Sequence, residues 1–191
     1  LPVTIERDGN LAVDGPGQPV EWLLEMARFP EAARLDYVAA RGELTMGIID
    51  RLAEAVADLH ERALPKPGSG GAEAMRLVTD GNATDLAGLA PILPAERTEP
   101  LATAIEAARA RLSPLLDARA RSGMVRHCHG DLHLANIVLL DHERPVLFDC
   151  LEFDEELASI DIIYDLAFLV MDLLHRGLGD GAQRCLQAWN D

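Results

Sequence analysis

The 191-residue chain predicts an α+β fold in which helices dominate. Three observations carry that prediction. Strand-like alternation is confined to residues 1–28, apolar stripes at helical spacing follow Thr45, and a polar loop with a short β-hairpin sits inside the helical part. Apolar residues make up 49% of the chain, enough to build a core, and no repeat or low-complexity segment interrupts it.

At the front, "VTIE" and "NLAV" flank the turn cluster "RDGN" and read as a hairpin. "PVEWLLEM" then alternates Val20, Trp22, Leu24 and Met26 on one face, as a third strand would. From Thr45 the period changes: Ile48, Ile49, Leu52, Val56, Leu59 and Ala63 form an apolar helical stripe that stops at Pro65, Pro67 and "GSGG". Residues 72–93 read as weakly helical and broken by "TDGNATD", and Leu101 to Arg121 as one long helix. "VRHC" reads as a short strand, "IVLL" and "PVLFD" as a hairpin joined by "DHER", and "SIDIIYDLAFLVMDLLHR" as a helix buried on most sides.

The net charge of −15 and the absence of any Lys/Arg run argue against a nucleic-acid partner. No apolar run is long enough for a bilayer, so no membrane partner is expected. Cys128, Cys150 and Cys185 are odd in number, far apart and beside apolar residues, the pattern of reduced, buried thiols in the cytoplasm. The chain opens without Met on strand-like "LPVTIE" and closes inside a helical pattern, which reads as a fragment of something longer.

The chemistry concentrates in "RHCHGDLHLANIVLL", Arg126 to Leu140. One reading is a metal cluster: on an extended backbone His127, His129 and Asp131 share a face, with His133 nearby, and zinc or non-haem iron would be the ion. No HExxH spacing supports it. A second is a polar loop whose hydrogen bonds are satisfied, which leaves the clustering of Asp131, Asn136 and Asp149 at strand edges without a reason. A third joins the loop to the hairpin after it. Asp131 precedes Asn136 by five residues and Asp149 ends a strand thirteen residues later, the same step as the kinase loop H-R-D-L-x-x-x-N and its metal-binding Asp. A hydroxyl attacking a phosphoryl group needs one carboxylate to orient it and take its proton, for which Asp131 stands. Mg²⁺ on the phosphates needs hard oxygens, which Asn136 and Asp149 would supply.

Taken together, "HGDLHLAN", "VLFDCLEF", "DIIYDLAFLVMDL" and the earlier "LAEAVADLH" resemble the aminoglycoside phosphotransferase-like branch of the protein-kinase-like fold. More narrowly, "RHCHGDLHLANIVL" with "FDCLEF" resembles bacterial proteins that fuse such a domain to a C-terminal P-loop ATP-binding domain. The resemblance implies a partial small β lobe and hinge at 1–28, and a helical large lobe at 29–191. It implies ATP and Mg²⁺ as cofactors and a small-molecule acceptor. Asp131 would be the base, Asn136 and Asp149 the metal ligands, and His129 and Asp165 structural supports. Met26 and Ala27 would meet adenine at the hinge. An alternative for Asp165 is a carboxylate favoured by the helix dipole.

Two departures from the pattern bear on function. Gly130 replaces the loop Arg of protein kinases, and Cys150-Leu151 replaces Phe-Gly with no APE after it, both pointing to a small-molecule kinase. The chain also lacks a Gly-rich loop and a strand Lys, its only lysine being Lys66 in the Pro/Gly loop. A module without turnover, serving an attached ATP-binding domain, is therefore the alternative expectation. In "LEFDEE", Glu152 and Asp154, with Glu155 and Glu156, could face an amine- or hydroxyl-rich substrate or form a solvated acidic turn.

Overall fold

The computed structural model describes residues 1–191 apart from Met26, Ala90, His142 and Glu143. Its elements have the expected α+β order, in two units: residues 1–30 and residues 31–191.

The first unit is a three-stranded antiparallel sheet of β1 (Pro2–Ile5), β2 (Leu11–Val13) and β3 (Gln18–Trp22), with β1 in the centre. The β1–β2 hairpin forms as expected, Val3 opposite Val13. The third strand is shorter than its alternation suggests. It ends at Trp22 opposite Pro2, with one further pair of hydrogen bonds between Leu1 and Leu23. All its residues are exposed, so its alternation does not mark a buried face among residues 1–30. Met26 lies outside the described residues.

The second unit contains α1 (Leu35–Ala40), α2 (Met46–Arg62), α3 (Gly71–Gly88), α4 (Ala95–Arg121), β4 (Val125–His127), β5 (Ile137–Leu140), β6 (Arg144–Leu147), the short α5 (Glu155–Ala158), β7 (Ser159–Asp161), α6 (Ile162–His175) and α7 (Gly179–Asn190). Helix α2 begins where Thr45 accepts a hydrogen bond from the amide of Ile48, a side-chain cap on an otherwise orphan donor. At its other end Arg126 donates to the carbonyls of His60 and Glu61, placing a cation where the helix dipole is negative. The stripe of Ile48, Ile49, Leu52 and Val56 packs with Leu166, Leu169 and Leu173 of α6 and Ala182 and Cys185 of α7, and Leu132, Leu134 and Ile137 join this core from the polar loop.

Three expectations change. The segment after Gly71 is one continuous helix. The turn-forming residues in "TDGNATD" are absorbed locally: Asp80 pairs with Arg76, and the Thr84 hydroxyl donates to the Asp80 carbonyl. The next helix starts at Ala95 rather than Leu101 and continues past Pro100 and Pro114. "SIDIIYDLAFLVMDLLHR" divides into strand β7, paired antiparallel with β4, and helix α6. Asp161 caps that helix by accepting from the amide of Ile163. Helix α6 is buried along one side only, with Ile163, Met171 and Leu174 exposed. Among the described residues no helix is long and apolar enough to cross a membrane.

Candidate active site

The loop between β4 and β5 is anchored to other elements at both ends by hydrogen bonds. Cys128 donates its amide to the Ala158 carbonyl at 2.8 Å. The next two amides, of His129 and Gly130, donate to the two oxygens of Asp165 at 3.2 and 2.9 Å. Asp165 is fully buried on α6, and its Oδ2 also meets His60 Nε2 at 3.0 Å. A buried carboxylate is tolerable only with donors of this kind around it. The residue therefore ties α6 to the loop and to α2, and is more than a favourable charge at a helix start.

The tautomers of both buried histidines follow from their partners. The Trp189 indole, a donor only, lies 3.0 Å from His60 Nδ1, so Nδ1 accepts and the proton sits on Nε2, facing Asp165. His129 Nε2 lies 2.9 Å from the Phe148 carbonyl, an acceptor only, and so carries the proton there. Its Nδ1 accepts from the amide of Asp131. With both nitrogens engaged, His129 is a fastener of the loop and cannot ligate an ion as the metal-cluster reading required.

His60, Cys128 and Asp165 are all buried, with potential ligand atoms within 4.8 Å of one another. They do not suit a metal either. Trp189 keeps the His60 proton on the nitrogen an ion would need, and burial, aided by Asp165 and Asp161, pushes the Cys128 thiol up to about 12.

After Asp131 the chain makes a 3-10 turn over Leu134–Asn136 and enters β5. Asn136 is buried, and its Nδ2 donates to the Asp131 carbonyl at 3.0 Å and to Asp131 Oδ2 at 2.9 Å. The amide is thereby oriented, with Oδ1 left as its only possible metal-binding atom. His133 Nε2 lies 3.3 Å from the same Asp131 oxygen. Across the hairpin the amide of Phe148 donates to the Asn136 carbonyl at 3.0 Å, and the amide of Leu151 to the His129 carbonyl at 2.9 Å. Asp149 stands between these two anchored points. Its φ of +61° is a conformation a non-glycine residue holds at a cost, kept by the fixed residues on either side. Asp131, Asn136 and Asp149 are thus gathered by one loop and one hairpin, and Asp149 presents an exposed carboxylate. Two carboxylates and an oriented amide oxygen are, by their chemistry, hard donors of the kind Mg²⁺ takes.

The remaining predicted residues are placed differently. Asp154 uses Oδ1 to cap α5, accepting from the amides of Glu156 and Leu157. Glu155 pairs with Lys66 at 2.9 Å, which holds its carboxyl below the usual range, while Glu152 and Glu156 are exposed. Ala27 is exposed and outside any strand. Cys150 is also exposed, against the expectation of three buried thiols, while Cys128 and Cys185 are buried. Sequence reasoning did not single out His60, Trp189 or Asp172, the last of which accepts from the amide of Leu134 at 3.0 Å. Only the Leu-His ending of α2 hinted at any of them.

Three mycobacterial relatives are each 32% identical over 176 residues: the uncharacterized proteins Rv2004c and MT2060 of two Mycobacterium tuberculosis strains and Mb2027c of Mycobacterium bovis. The match covers 87% of this chain and 34% of each relative, so the chain spans about a third of the length of the curated relatives it matches. Among solved structures, an aminoglycoside phosphotransferase from Streptomyces rimosus, APH(3'')-Id, aligns at 22% identity with a TM-score of 0.47, over 83% of this chain and 59% of that one. The sequence matches the APH family, described as the phosphotransferase enzyme family, over residues 14–190, and the chain belongs to that family, with its protein-kinase-like α+β fold.

Proposed function

We propose that this chain transfers the γ-phosphoryl group of Mg·ATP to a hydroxyl of a small molecule, with Asp131 as the base and Asn136 and Asp149 as the metal ligands. The observation that carries the reading is the Asn136 amide: Nδ2 holds Asp131 Oδ2 at 2.9 Å, and the Asn136 carbonyl holds the strand leading into Asp149. With Oδ2 occupied, Asp131 has Oδ1 to accept the proton of an incoming hydroxyl as its oxygen attacks. Asn136 Oδ1 and the Asp149 carboxylate would hold Mg²⁺, which would offset the negative charge that develops during phosphoryl transfer. An amine- or hydroxyl-rich acceptor suits the exposed Glu152, with Asp154 contributing its uncapped oxygen. Buried unpaired thiols at Cys128 and Cys185 favour the cytoplasm. A C-terminal P-loop ATP-binding domain in the longer protein belongs to the same reading, supported by the resemblance of the loop and "FDCLEF" segments to such fusions.

Asp131→Asn removes the base while keeping shape and the contact to Asn136. In the full-length protein it should lower turnover by about 10²–10⁴-fold with nucleotide affinity little changed. The competing reading, a kinase-like module that serves an ATP-binding domain without turnover, is favoured by one observation. The only lysine of this chain is held by Glu155. It predicts that Asp131→Asn leaves the protein's associated activity untouched.

A further inference from the structure

We propose that Asp172 is a positioning residue for the metal-binding half of the loop, acting separately from Asp165, which holds the half that carries the base. The inference rests on the reading of Asn136 as a metal ligand given above.

Asp165 and Asp172 are seven residues apart on α6, close to two full turns, so both carboxylates project from the same side of the helix. Their partners in the loop differ. Asp165 takes the amides of His129 and Gly130, immediately before Asp131. Asp172 takes the amide of Leu134, the first residue of the 3-10 turn that ends at Asn136. The opening amides of any helical turn need an acceptor from outside it. His133, in the capping position, provides no side-chain acceptor. Asp172 supplies one from another element at 3.0 Å, an N-cap delivered in trans. Its other oxygen accepts from Arg176 Nε at 2.8 Å, which orients the carboxylate, and its side chain is only 14% exposed.

The turn is also held just before its start, where the His133 amide donates to the Asp131 carbonyl at 3.1 Å, but that bond leaves the Leu134 amide to Asp172. Leu134 is fully buried, so the peptide N–H of that residue cannot turn to water without dragging its side chain from the core. Removing the carboxylate leaves a buried amide without an acceptor, and the turn shifts to relieve it, displacing Asn136 Oδ1 from the metal position against the bonds that Nδ2 makes to Asp131. Asp131 stays anchored through Gly130. The expected signature is therefore weakened Mg²⁺ binding with turnover largely retained at saturating Mg²⁺. Groups behind a ligand contribute about 10–100-fold to metal affinity in comparable sites.

The test is calorimetric titration of Mg²⁺ into the full-length protein saturated with a non-hydrolysable ATP analogue. Asp172→Ala should weaken Mg²⁺ binding by about tenfold. Asp172→Asn, which keeps an acceptor for Leu134, should restore most of that affinity, and Arg176→Met, which removes only the bond that orients the carboxylate, should weaken it by less than Asp172→Ala does. Amide exchange on the same samples separates positioning from general loss of structure: only the turn around Leu134 should exchange faster. If Asp172→Ala does not fold, Asp172→Ser, polar but too short to reach Leu134, takes its place with the same expectation. Wild-type Mg²⁺ affinity in the alanine or serine variant, or exchange raised evenly through the core, overturns the role of Asp172 alone. A wild-type protein that binds the nucleotide with no response to Mg²⁺ overturns the reading of the site and this inference with it.

Discussion

At Gly130 the backbone has φ +82°, and a Cβ there would lie 2.7 Å from Leu151 Cδ1. The missing loop arginine of protein kinases is thus also a backbone requirement: the turn that offers two successive amides to Asp165 leaves no room for a side chain. Gly130→Ala should cost about 1–2 kcal/mol from the left-handed conformation alone, with displacement of Leu151 adding to it, measurable by urea unfolding. A variant as stable as wild type would mean the loop has another conformation open to it. Individual residues were legible where their chemistry is local. Asp131, Asn136 and Asp149 stand out because their residue types and spacing lie in one short stretch. His60 and Trp189 did not stand out because each is one polar residue at a helix end, and what makes them matter is a partner 105 or 129 positions away.

Elements read well where an apolar stripe meets the core and poorly where it does not. Helix α2 shows its buried face in the sequence, while α3 reads as broken because nothing in it is buried. Its continuity comes from side-chain bonds such as Arg76 with Glu73 and Asp80, and from packing against α4. Helix α4 likewise has no buried residue, and joins the rest through contacts such as the two-pronged bond of Arg119 to Asp161. Surface ion pairs of this kind contribute little each, so α3 and α4 depend on each other more than on the core. Hydrogen exchange should find α3 and the first half of α4 opening at a much lower free energy than α2, α6 and α7. Equal protection throughout would show the α3–α4 pair to be part of the core's cooperative unit. The opposite mismatch occurs at α6, whose apolar composition suggests burial on most sides. Its exposed Ile163, Met171 and Leu174 show that composition reports how apolar a helix is, not how many of its sides are covered.

Over the whole molecule, pH acts on stability through groups hidden by the fold. Burial raises the thiol of Cys185 to about 11, and burial with two neighbouring carboxylates raises that of Cys128 to about 12. Unfolded thiols ionise near about 8.5. Above that pH the unfolded chain therefore holds fewer protons than the folded one, and stability falls as pH rises toward 11 and 12. Below it this contribution is fully present. Denaturation series between neutral pH and these values should show the decline, and it should be shallower in Cys128→Ala and Cys185→Ala, though both start from a less stable protein. A slope unchanged by both substitutions would assign alkaline unfolding to other groups. The sequence announced three buried thiols; it could not show that Cys150 is exposed, because its apolar neighbours Phe148 and Leu151 do not reveal which side of the segment faces out.

The span of the contacts behind Asp131 also dictates when they can form. As the chain leaves the ribosome, the loop emerges before Asp165 and Asp172 of α6, and Trp189 of α7 comes later still. A partly synthesised protein can therefore hold every residue of the 126–140 loop and still lack the acceptors that order it. Under the proposed function, phosphoryl transfer would have to wait for α6 to dock against the loop, and the bond from Trp189 to His60 would complete the network last.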